Sequence, residues 1–176
     1  MPSETSLLVT TPLGPLRLTA RGGRLAGVAF SAKEAAATPT ATAGNAGDAA
    51  VLRRAAAELA DYFAGRRREF SLPLDLTSCS PFRRAILETL RRVPCGEVLT
   101  YGELAARAGF PGAARAVGRV MASNPLPIVI PCHRVVAAAG RLGGYSGGEG
   151  TRTKERLLDL ERQRTEKAAD SREKTP

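Results

Sequence analysis

Three short apolar segments near the N-terminus alternate with turn residues. The segments SLLVT, PLRLTA and RLAGVAF span residues 6–10, 15–20 and 24–30, and Pro12, Gly14, Gly22 and Gly23 separate them. Leu- and Val-rich runs of this length between turn residues predict a three-stranded antiparallel meander. The next stretch, residues 31–47, consists mostly of Ala, Thr and Gly and predicts a low-complexity loop.

A helical pattern follows this loop. Apolar residues recur at helical spacing at Leu52, Ala55, Ala56, Leu59, Tyr62 and Phe63. We therefore predict a helix that has Asp48 as its N-cap and ends at Gly65. Residues 70–76 then alternate apolar and polar side chains, which predicts one more strand, and Pro73 favours a place at the sheet edge.

The pattern becomes mainly helical after residue 76. Ser80 and Pro81 are typical of an N-cap followed by the first residue of a helix. The Pro-Cys-Gly sequence at residues 94–96 breaks this helix. Thr100 and Glu103 match a capping box, which predicts that a short second helix begins there.

A tight turn joins this second helix to a third. Gly109 ends the second helix, Pro111 and Gly112 follow it, and residues 113–123 repeat the helical pattern. Two short helices joined by a Gly/Pro turn predict a helix-turn-helix.

The last third of the chain begins with the Pro-rich apolar segment NPLPIVIPCHRVV at residues 124–136. Residues 135–145 are Gly-rich and predict a hairpin-like segment, and residues 149–160 predict a final helix. Residues 161–176 are charged and lack apolar periodicity, which predicts a disordered tail.

These patterns together predict an α+β fold with two domains. The first, at residues 1–76, combines a three-stranded antiparallel sheet with a helix. The second, at residues 77–160, is mostly helical and contains the helix-turn-helix and the Pro-Cys-His-Arg segment.

The chain is strongly basic, which bears on the partners it can bind. The formal net charge is +9 and the sequence pI is about 10.3, values compatible with a polyanion such as DNA and equally with a solvated basic surface. The sequence contains no apolar run long enough for a membrane span and no secretory pattern at its start, so a cytoplasmic protein without membrane contact is expected.

The cysteine and histidine content argues against a disulfide framework and a zinc site. The chain has three cysteines, Cys79, Cys95 and Cys132, and one histidine, His133. An odd number of cysteines without CxxC or HxxxH spacing is untypical of either arrangement. We therefore expect no structural metal.

Cys132 and His133 form the candidate reactive pair. A cysteine is a strong nucleophile only as a thiolate, which a base or a cation nearby promotes. The dipeptide alone is also compatible with a buried cysteine beside a structural histidine. Three prolines and the apolar Ile-Val-Ile before Cys132, together with the Gly-rich loop after it, favour a pocket for a flat molecule.

The heptad IPCHRVV resembles the signature of the O6-alkylguanine-DNA alkyltransferases. The blocks TYGELAARAG, ARAVGRVMASNPLPIVIPCHRVV, GGYSGG and KERLLDLE resemble the family's C-terminal domain in order and spacing, over roughly residues 78–160. Residues 1–76 fit the family only in general layout. The resemblance implies irreversible transfer of an alkyl group from O6-alkylguanine in duplex DNA to the protein's own cysteine, without a cofactor or an obligate protein partner, by a monomer. O4-alkylthymine is a further candidate substrate.

The resemblance also implies roles at the reacting centre. Cys132 accepts the alkyl group, and His133 acts as its base through a water molecule. Glu155 orients His133, in the manner of a catalytic triad. Asn124 ties the helix-turn-helix to the Cys132 segment, and Tyr101 protonates the departing guanine.

Further residues are implied in binding the base. Tyr145 forms a wall of the pocket, and the backbone N–H of Ser146 contacts O6. The carbonyls of Cys132 and Val135 accept from the exocyclic amine of guanine. Pro127 lines the apolar side of the pocket.

The family resemblance places the helix at residues 113–123 in the minor groove of DNA. Arg115 fills the gap left by the extruded base, Arg119 contacts a phosphate, and Met121 is assigned to the same binding surface. Ala122 is a departure, because some family members have a DNA-contacting arginine at that position.

Three other functions compete with this interpretation. An alkyltransferase-like damage-recognition protein would lack the acceptor cysteine, whereas Cys132 is present. A helix-turn-helix regulator without chemistry would need a dimer interface and a sensor, and the sequence indicates neither. A cysteine hydrolase that uses Cys132 and His133 would turn over repeatedly.

Overall fold

The computed structural model describes residues 4–31 and 45–173, and the side chains as far as residue 166. Most of the predicted loop at residues 31–47 lies outside the described residues. The chain divides into two units, the first ending at Ser80 and including Pro125–Val129, the second formed by Pro81–Asn124 and the residues from Ile130 onward. The domain boundary after residue 76 stays a prediction, and the sequence did not predict that residues 125–129 belong to the first unit.

The first unit contains the predicted three-stranded antiparallel meander. Its strands, in sheet order, are β1 (Thr5–Thr11), β2 (Gly14–Arg21) and β3 (Arg24–Phe30). Alternate residues of the central strand, Leu16 and Leu18, are fully buried, because successive side chains of a strand point to opposite faces. This buried face packs against a helix and forms the core of the unit.

That helix, α1 (Ala46–Phe63), begins earlier than predicted. Its N-cap is Asn45, whose side chain accepts from the N–H of Asp48 at 2.9 Å. Asp48 is instead fully buried and accepts from the N–H of Gly23 at 2.6 Å. The prediction of Asp48 as N-cap was wrong. Asn45 and Asp48 are both residue types that cap helices, and the apolar pattern does not reach the first turn, so it cannot decide between them.

Residues 70–76 do not form the predicted strand. Only Leu74 pairs, in an isolated parallel bridge with Leu25. The N–H of Leu25 donates to the carbonyl of Pro73, and the N–H of Asp75 donates to the carbonyl of Leu25. Pro73 has no N–H to extend a ladder, which limits the pairing to this bridge.

The second unit contains the predicted helices. Its first elements are α2 (Pro81–Arg91), β4 (Leu99–Thr100), α3 (Tyr101–Arg107) and α4 (Ala114–Ala122). The capping box that predicts α3 is formed, with the Glu103 N–H 3.2 Å from Thr100 Oγ1 and the Thr100 N–H 2.7 Å from the Glu103 carboxylate. The α3 and α4 helices pack together and form the predicted helix-turn-helix.

The Pro-Cys-His-Arg segment forms one turn of 3-10 helix, Cys132–Arg134, followed by β5 (Val135–Val136). β5 pairs in parallel with β4, so Leu99 lies opposite Val135. The predicted hairpin is therefore absent: the strand pairs with a segment far away in sequence, which local turn residues cannot indicate.

The last helix, α5 (Thr151–Glu173), is much longer than predicted. The disordered tail proposed from residue 161 onward is thus wrong for residues 161–173, and Glu161 is only 1% exposed. Among the described residues, no helix is both long and apolar enough to span a bilayer.

Candidate active site

A cavity of about 250 Å³ opens beside Cys132 in the second unit. Its wall comes from α3, α4, the Cys132 turn and the Gly-rich loop before α5. The lining residues are Tyr101, Gly118, Met121, Ala122, Cys132, Gly144, Tyr145 and Ser146. Five residues predicted from the sequence thus meet in one place, whereas Pro127 and Val135 are not part of the lining.

Cys132 is a buried thiol, 6% exposed. Burial raises the pKa of this thiol, because a thiolate loses its hydration there. A hydrogen bond from Asn124 and the positive charge of Lys154 act in the opposite direction without cancelling the effect of burial. The thiol therefore remains largely protonated at neutral pH and needs a base to react.

The side chain of Asn124 joins the end of the helix-turn-helix to this segment, as the sequence predicts. Its Nδ2 donates to the carbonyl oxygen of Ile130 at 2.9 Å. The same side chain contacts the Cys132 thiol. It thereby fixes both the backbone before Cys132 and the sulfur itself.

His133 is fully buried and pairs with Glu161, not with Glu155. The distance from His133 Nε2 to Glu161 Oε1 is 2.8 Å. Arg134 donates to both oxygens of the same carboxylate, at 2.9 and 2.8 Å. Glu155 is exposed to solvent. The sequence-based assignment of Glu155 as the orienting residue is therefore wrong.

The error lies in where the sequence analysis ended the last helix. The buried residues of α5 recur at helical spacing, at Thr153, Lys154, Leu157, Glu161 and Arg164. Glu161 follows Leu157 by four residues and lies on the same face, whereas Glu155 does not. The charged composition after residue 160 predicts a tail, so the sequence does not indicate that Glu161 shares this buried face.

The ionisation of Glu161 determines the tautomer of His133. Burial by itself raises the pKa of the Glu161 carboxyl, but the hydrogen bonds from His133 and Arg134 outweigh it, so the pKa lies well below its usual range. An ionised carboxylate only accepts hydrogen bonds, so His133 Nε2 must carry the proton. Nδ1, which has no hydrogen-bond partner among the described residues, is then the basic nitrogen.

The imidazole is neutral under ordinary conditions. Burial lowers the pKa of His133, and although Glu161 raises it, the charges of Arg134 and Lys154 lower it further. A base must be unprotonated before it acts. His133 therefore meets this requirement at neutral pH.

Comparison with known proteins identifies the family. The model of the 6-O-methylguanine DNA methyltransferase DNA binding domain matches residues 81–163, and that of the same family's ribonuclease-like domain matches residues 7–76. The chain belongs to the 6-O-methylguanine DNA methyltransferase family. The two matched ranges correspond closely to the two structural units.

Similar proteins carry a consistent name. The methylated-DNA--protein-cysteine methyltransferase of Salmonella typhimurium is 50% identical over 91 residues, which is 52% of this chain and 53% of that protein. The alignment thus spans about half the length of that relative. The protein of the same name from Mycobacterium tuberculosis is 39% identical over 156 residues, 89% of this chain and 91% of that protein.

Solved structures agree with the fold. The M. tuberculosis O6-methylguanine methyltransferase has a TM-score of 0.74 at 36% identity, covering 91% of this chain and 94% of that chain. The M. tuberculosis OGT in complex with DNA has a TM-score of 0.75 at 38% identity, covering 89% and 92%. These values confirm the α+β architecture predicted from the sequence.

Two tyrosines flank the thiol in this member of the methyltransferase family. Tyr101 begins α3 and is half-buried, and burial followed by the charge of Cys132 raises its pKa. Tyr145 lies in the Gly-rich loop, where burial and then Cys132 likewise raise its pKa. Both phenols therefore keep their protons at neutral pH and can donate them.

Gly143 positions the Tyr101 hydroxyl. Gly143 has a positive φ of +69°, and a Cβ at this position would lie 3.1 Å from Tyr101 Oη and 3.4 Å from the Ala137 nitrogen. Such contacts force the neighbouring atoms to move, and the backbone conformation itself disfavours a side chain.

We expect Gly143→Ala to slow the reaction of Cys132 with its substrate by up to about tenfold, since the contact displaces the Tyr101 hydroxyl by less than the displacement of about 1 Å that costs up to about 10²-fold. Gly140→Ala is the matched control, because Gly140 has a φ of +70° and nothing within 4 Å of an added Cβ. Single-turnover kinetics of the two variants give the comparison. Equal losses would contradict a role for the Tyr101 contact and indicate backbone strain alone.

Among the remaining predicted residues, Ser146 lines the cavity, Val135 follows the Cys132 turn, and Arg115 and Arg119 lie on α4. The carbonyl of Val135 accepts from Lys154 Nζ at 2.6 Å, and Ser146 is exposed at the cavity. Arg115 and Arg119 are exposed on α4. They are therefore available to a partner outside the protein.

Proposed function

We propose that this protein repairs DNA by transferring the alkyl group of O6-alkylguanine to the sulfur of Cys132. The observation that carries the proposal is the buried Cys132 thiol at the cavity, beside a histidine whose tautomer Glu161 fixes. Membership in the methyltransferase family and the names of the relatives support it.

The acceptor thiol is activated by proton removal. His133 Nδ1 takes the Cys132 proton through a water molecule, and the ionised Glu161 stabilises the imidazolium that forms. Arg134 keeps Glu161 ionised and immobile throughout. The resulting thiolate is the nucleophile.

The transfer itself is a displacement at the alkyl carbon. The bond from Sγ to this carbon forms as the bond from the carbon to O6 breaks, and the electron pair goes to guanine. Tyr101 donates a proton to a ring nitrogen of guanine, so the base leaves as a neutral molecule. Return of the His133 proton to Tyr101 restores all charges, and Cys132 ends as a thioether.

Selection of guanine follows from groups around the cavity. The backbone N–H of Ser146 donates to O6, and Tyr145 provides an aromatic wall for the ring. The carbonyls of Cys132 and Val135 accept from the exocyclic amine, and Val135 O has a second lone pair beside its bond to Lys154. Adenine offers no donor at that position.

Each protein molecule accepts one alkyl group and then stops, since a thioether is not hydrolysed. Incubating the protein with excess duplex DNA that contains O6-methylguanine should restore guanine only up to the amount of protein. A nucleoside analysis by chromatography measures this. Restoration that continues past one equivalent would contradict the proposal and favour a cysteine hydrolase.

The substrate base lies inside duplex DNA, so the protein must extrude it. The M. tuberculosis OGT was solved in complex with DNA. Small residues of α4, among them Ala114 and Gly118, allow close approach to a narrow groove, and Arg115 is exposed on the same helix. We infer that α4 enters the minor groove and that Arg115 fills the space left by the base.

We expect Arg115→Ala to slow repair of duplex DNA by about 10- to 100-fold while the reaction with free O6-methylguanine base stays unchanged, because loss of the extruded conformation costs a few kcal/mol. Arg53→Ala is the matched control, since Arg53 is an exposed arginine on α1 and carries the same charge. Rate measurements on both substrates give the result. Equal losses on duplex and free base would exclude the extruding role.

The reactive thiol bears on where in the cell the protein acts. Cys132 is not in a disulfide in the described part of the chain, and it must stay reduced to accept an alkyl group. This supports the cytoplasm, where thiols are kept reduced.

A further inference from the structure

Lys154 is a fully buried cation next to the cavity wall. It is the fourth residue of α5, and its side chain is 0% exposed. Burial of an ammonium is costly, and a cation in the first turn of a helix also opposes the helix dipole. Two unfavourable features at one residue indicate a compensating interaction.

The ammonium is held by carbonyl oxygens. Nζ donates to the oxygen of Val135 at 2.6 Å and to that of Gly144 at 3.2 Å. Within the part of the chain that the structure describes, no carboxylate lies within ion-pair distance of it. Its charge is therefore not neutralised by an acidic neighbour.

These two carbonyls belong to two different segments near the thiol. Val135 directly follows the Cys132–Arg134 turn, and Gly144 lines the cavity beside Tyr145. A single side chain thus connects the segment that holds the thiol to the loop that holds the base.

The charge of Lys154 acts on both reacting groups. It acts to lower the pKa of the Cys132 thiol. Burial lowers the pKa of Lys154 itself, and the charge of the Cys132 thiolate acts in the opposite direction. The charge of Lys154 also lowers the pKa of His133, which keeps that imidazole in its basic form. The other ionisable groups that face the sulfur are phenols, Tyr101 on α3 and Tyr145 on the loop.

We propose that Lys154 is a positioning residue of the transfer site, whose buried ammonium bridges the Val135 and Gly144 carbonyls and holds a positive charge beside the Cys132 sulfur. This inference rests on the alkyl-transfer function proposed above. Lys154 acts through Cys132 and does not touch the substrate.

The test separates the charge from the hydrogen bonds. Lys154→Met removes both, Lys154→Gln removes the charge and keeps a donor, and Lys154→Arg keeps the charge. Arg152→Met is the matched control, because Arg152 is an exposed cation on the same helix. Thermal melts verify that each variant is folded.

The readout is the rate at which iodoacetamide alkylates Cys132 as a function of pH, followed on the Cys132 peptide by mass spectrometry. Each unit by which the pKa of Cys132 rises lowers the rate at neutral pH about threefold, since about tenfold less thiolate is only partly offset by its higher nucleophilicity. We expect an upward shift of the midpoint in Lys154→Met and Lys154→Gln, and the wild-type midpoint in Lys154→Arg and Arg152→Met.

An unchanged midpoint in Lys154→Gln would overturn the proposal, even if its transfer rate falls. The iodoacetamide reaction needs no DNA, so its outcome is independent of the repair function. Conversely, the wild-type protein could take no methyl group from DNA while Lys154→Gln still shifts the midpoint of the thiol reaction. That result would contradict the repair function and leave the electrostatic role of Lys154 intact. If Lys154→Met does not fold, Lys154→Gln and Lys154→Arg still decide the question.

Discussion

Cys132→Ala is expected to abolish the uptake of labelled methyl groups from alkylated DNA while DNA binding is retained. The sulfur of Cys132 belongs to the only thiol among the residues that line the described cavity, and neither the hydroxyl groups nor the Met121 thioether there can form a thiolate. Removing it eliminates the acceptor, and the exposed cations of α4 that we assign to DNA are unchanged.

The control for this experiment is Cys95→Ala. Cys95 is half-buried and does not line the cavity, so the variant should take up the label at the wild-type rate. Gel-shift titration checks that DNA binding of Cys132→Ala remains. Uptake by Cys132→Ala, or its loss in Cys95→Ala, would place the acceptor elsewhere.

Glu161→Gln is expected to reduce the transfer rate by about 10²- to 10⁴-fold, the usual contribution of a general base. The amide of glutamine is neutral and no longer requires His133 Nε2 to carry the proton, so the tautomer with a basic Nδ1 is not enforced. It also leaves the Arg134 guanidinium buried without its carboxylate, which costs about 3–5 kcal/mol of stability.

Glu155→Gln distinguishes this structure from the assignment made on sequence alone. Glu155 is exposed, and its replacement should change stability by less than about 0.5 kcal/mol and leave the transfer rate unchanged. Urea unfolding and single-turnover transfer measure both quantities for the two variants. A large kinetic loss in Glu155→Gln with little loss in Glu161→Gln would reverse the assignment.

The buried carboxylate of Glu161 makes the free energy of unfolding depend on pH. Because the folded state depresses the pKa of Glu161 below its ordinary value of 4.5, its contribution to the free energy of unfolding is present above that pH and is lost as the pH falls further. In Glu161→Gln this loss should be smaller. His133, with a lowered pKa, adds a loss of stability as the pH falls below its ordinary value of 6.5.

Local sequence signals were sufficient for much of the fold. The meander is confirmed because alternating Leu and Val residues between Gly turns specify both the strands and their order. The start of α3 is confirmed because its capping box, Thr100 and Glu103, satisfies backbone groups locally. These features need no information from distant residues.

Features that depend on distant contacts were not predicted. The pairing of β5 with β4 joins residues 36 positions apart, from Leu99 to Val135. The charged end of α5 is helical although its composition suggests disorder, and the burial of Glu161 against His133 and Arg134 accompanies that order. Ile128 is buried with a φ of +74°, which is strained for a β-branched residue, and nothing in the local sequence indicates it.

The sequence predicted which residues surround the Cys132 sulfur better than it predicted which side chains bond to one another. The motif resemblance identified the residues around the sulfur, such as Tyr101 and Tyr145, because they belong to short ordered blocks. It failed for Glu161, whose role depends on which face of a helix meets His133. It also missed Lys154, since a lysine in a helical pattern is typical of a solvated surface.

Mass spectrometry of the intact protein and its peptides, before and after reaction with duplex DNA that contains O6-methylguanine, shows directly whether Cys132 is the alkyl acceptor. We expect the transfer of one methyl group per chain, located on the Cys132 peptide, with no further increase in mass at longer times. An unmodified Cys132 in protein that has restored guanine, or a methyl group on another residue, would contradict it.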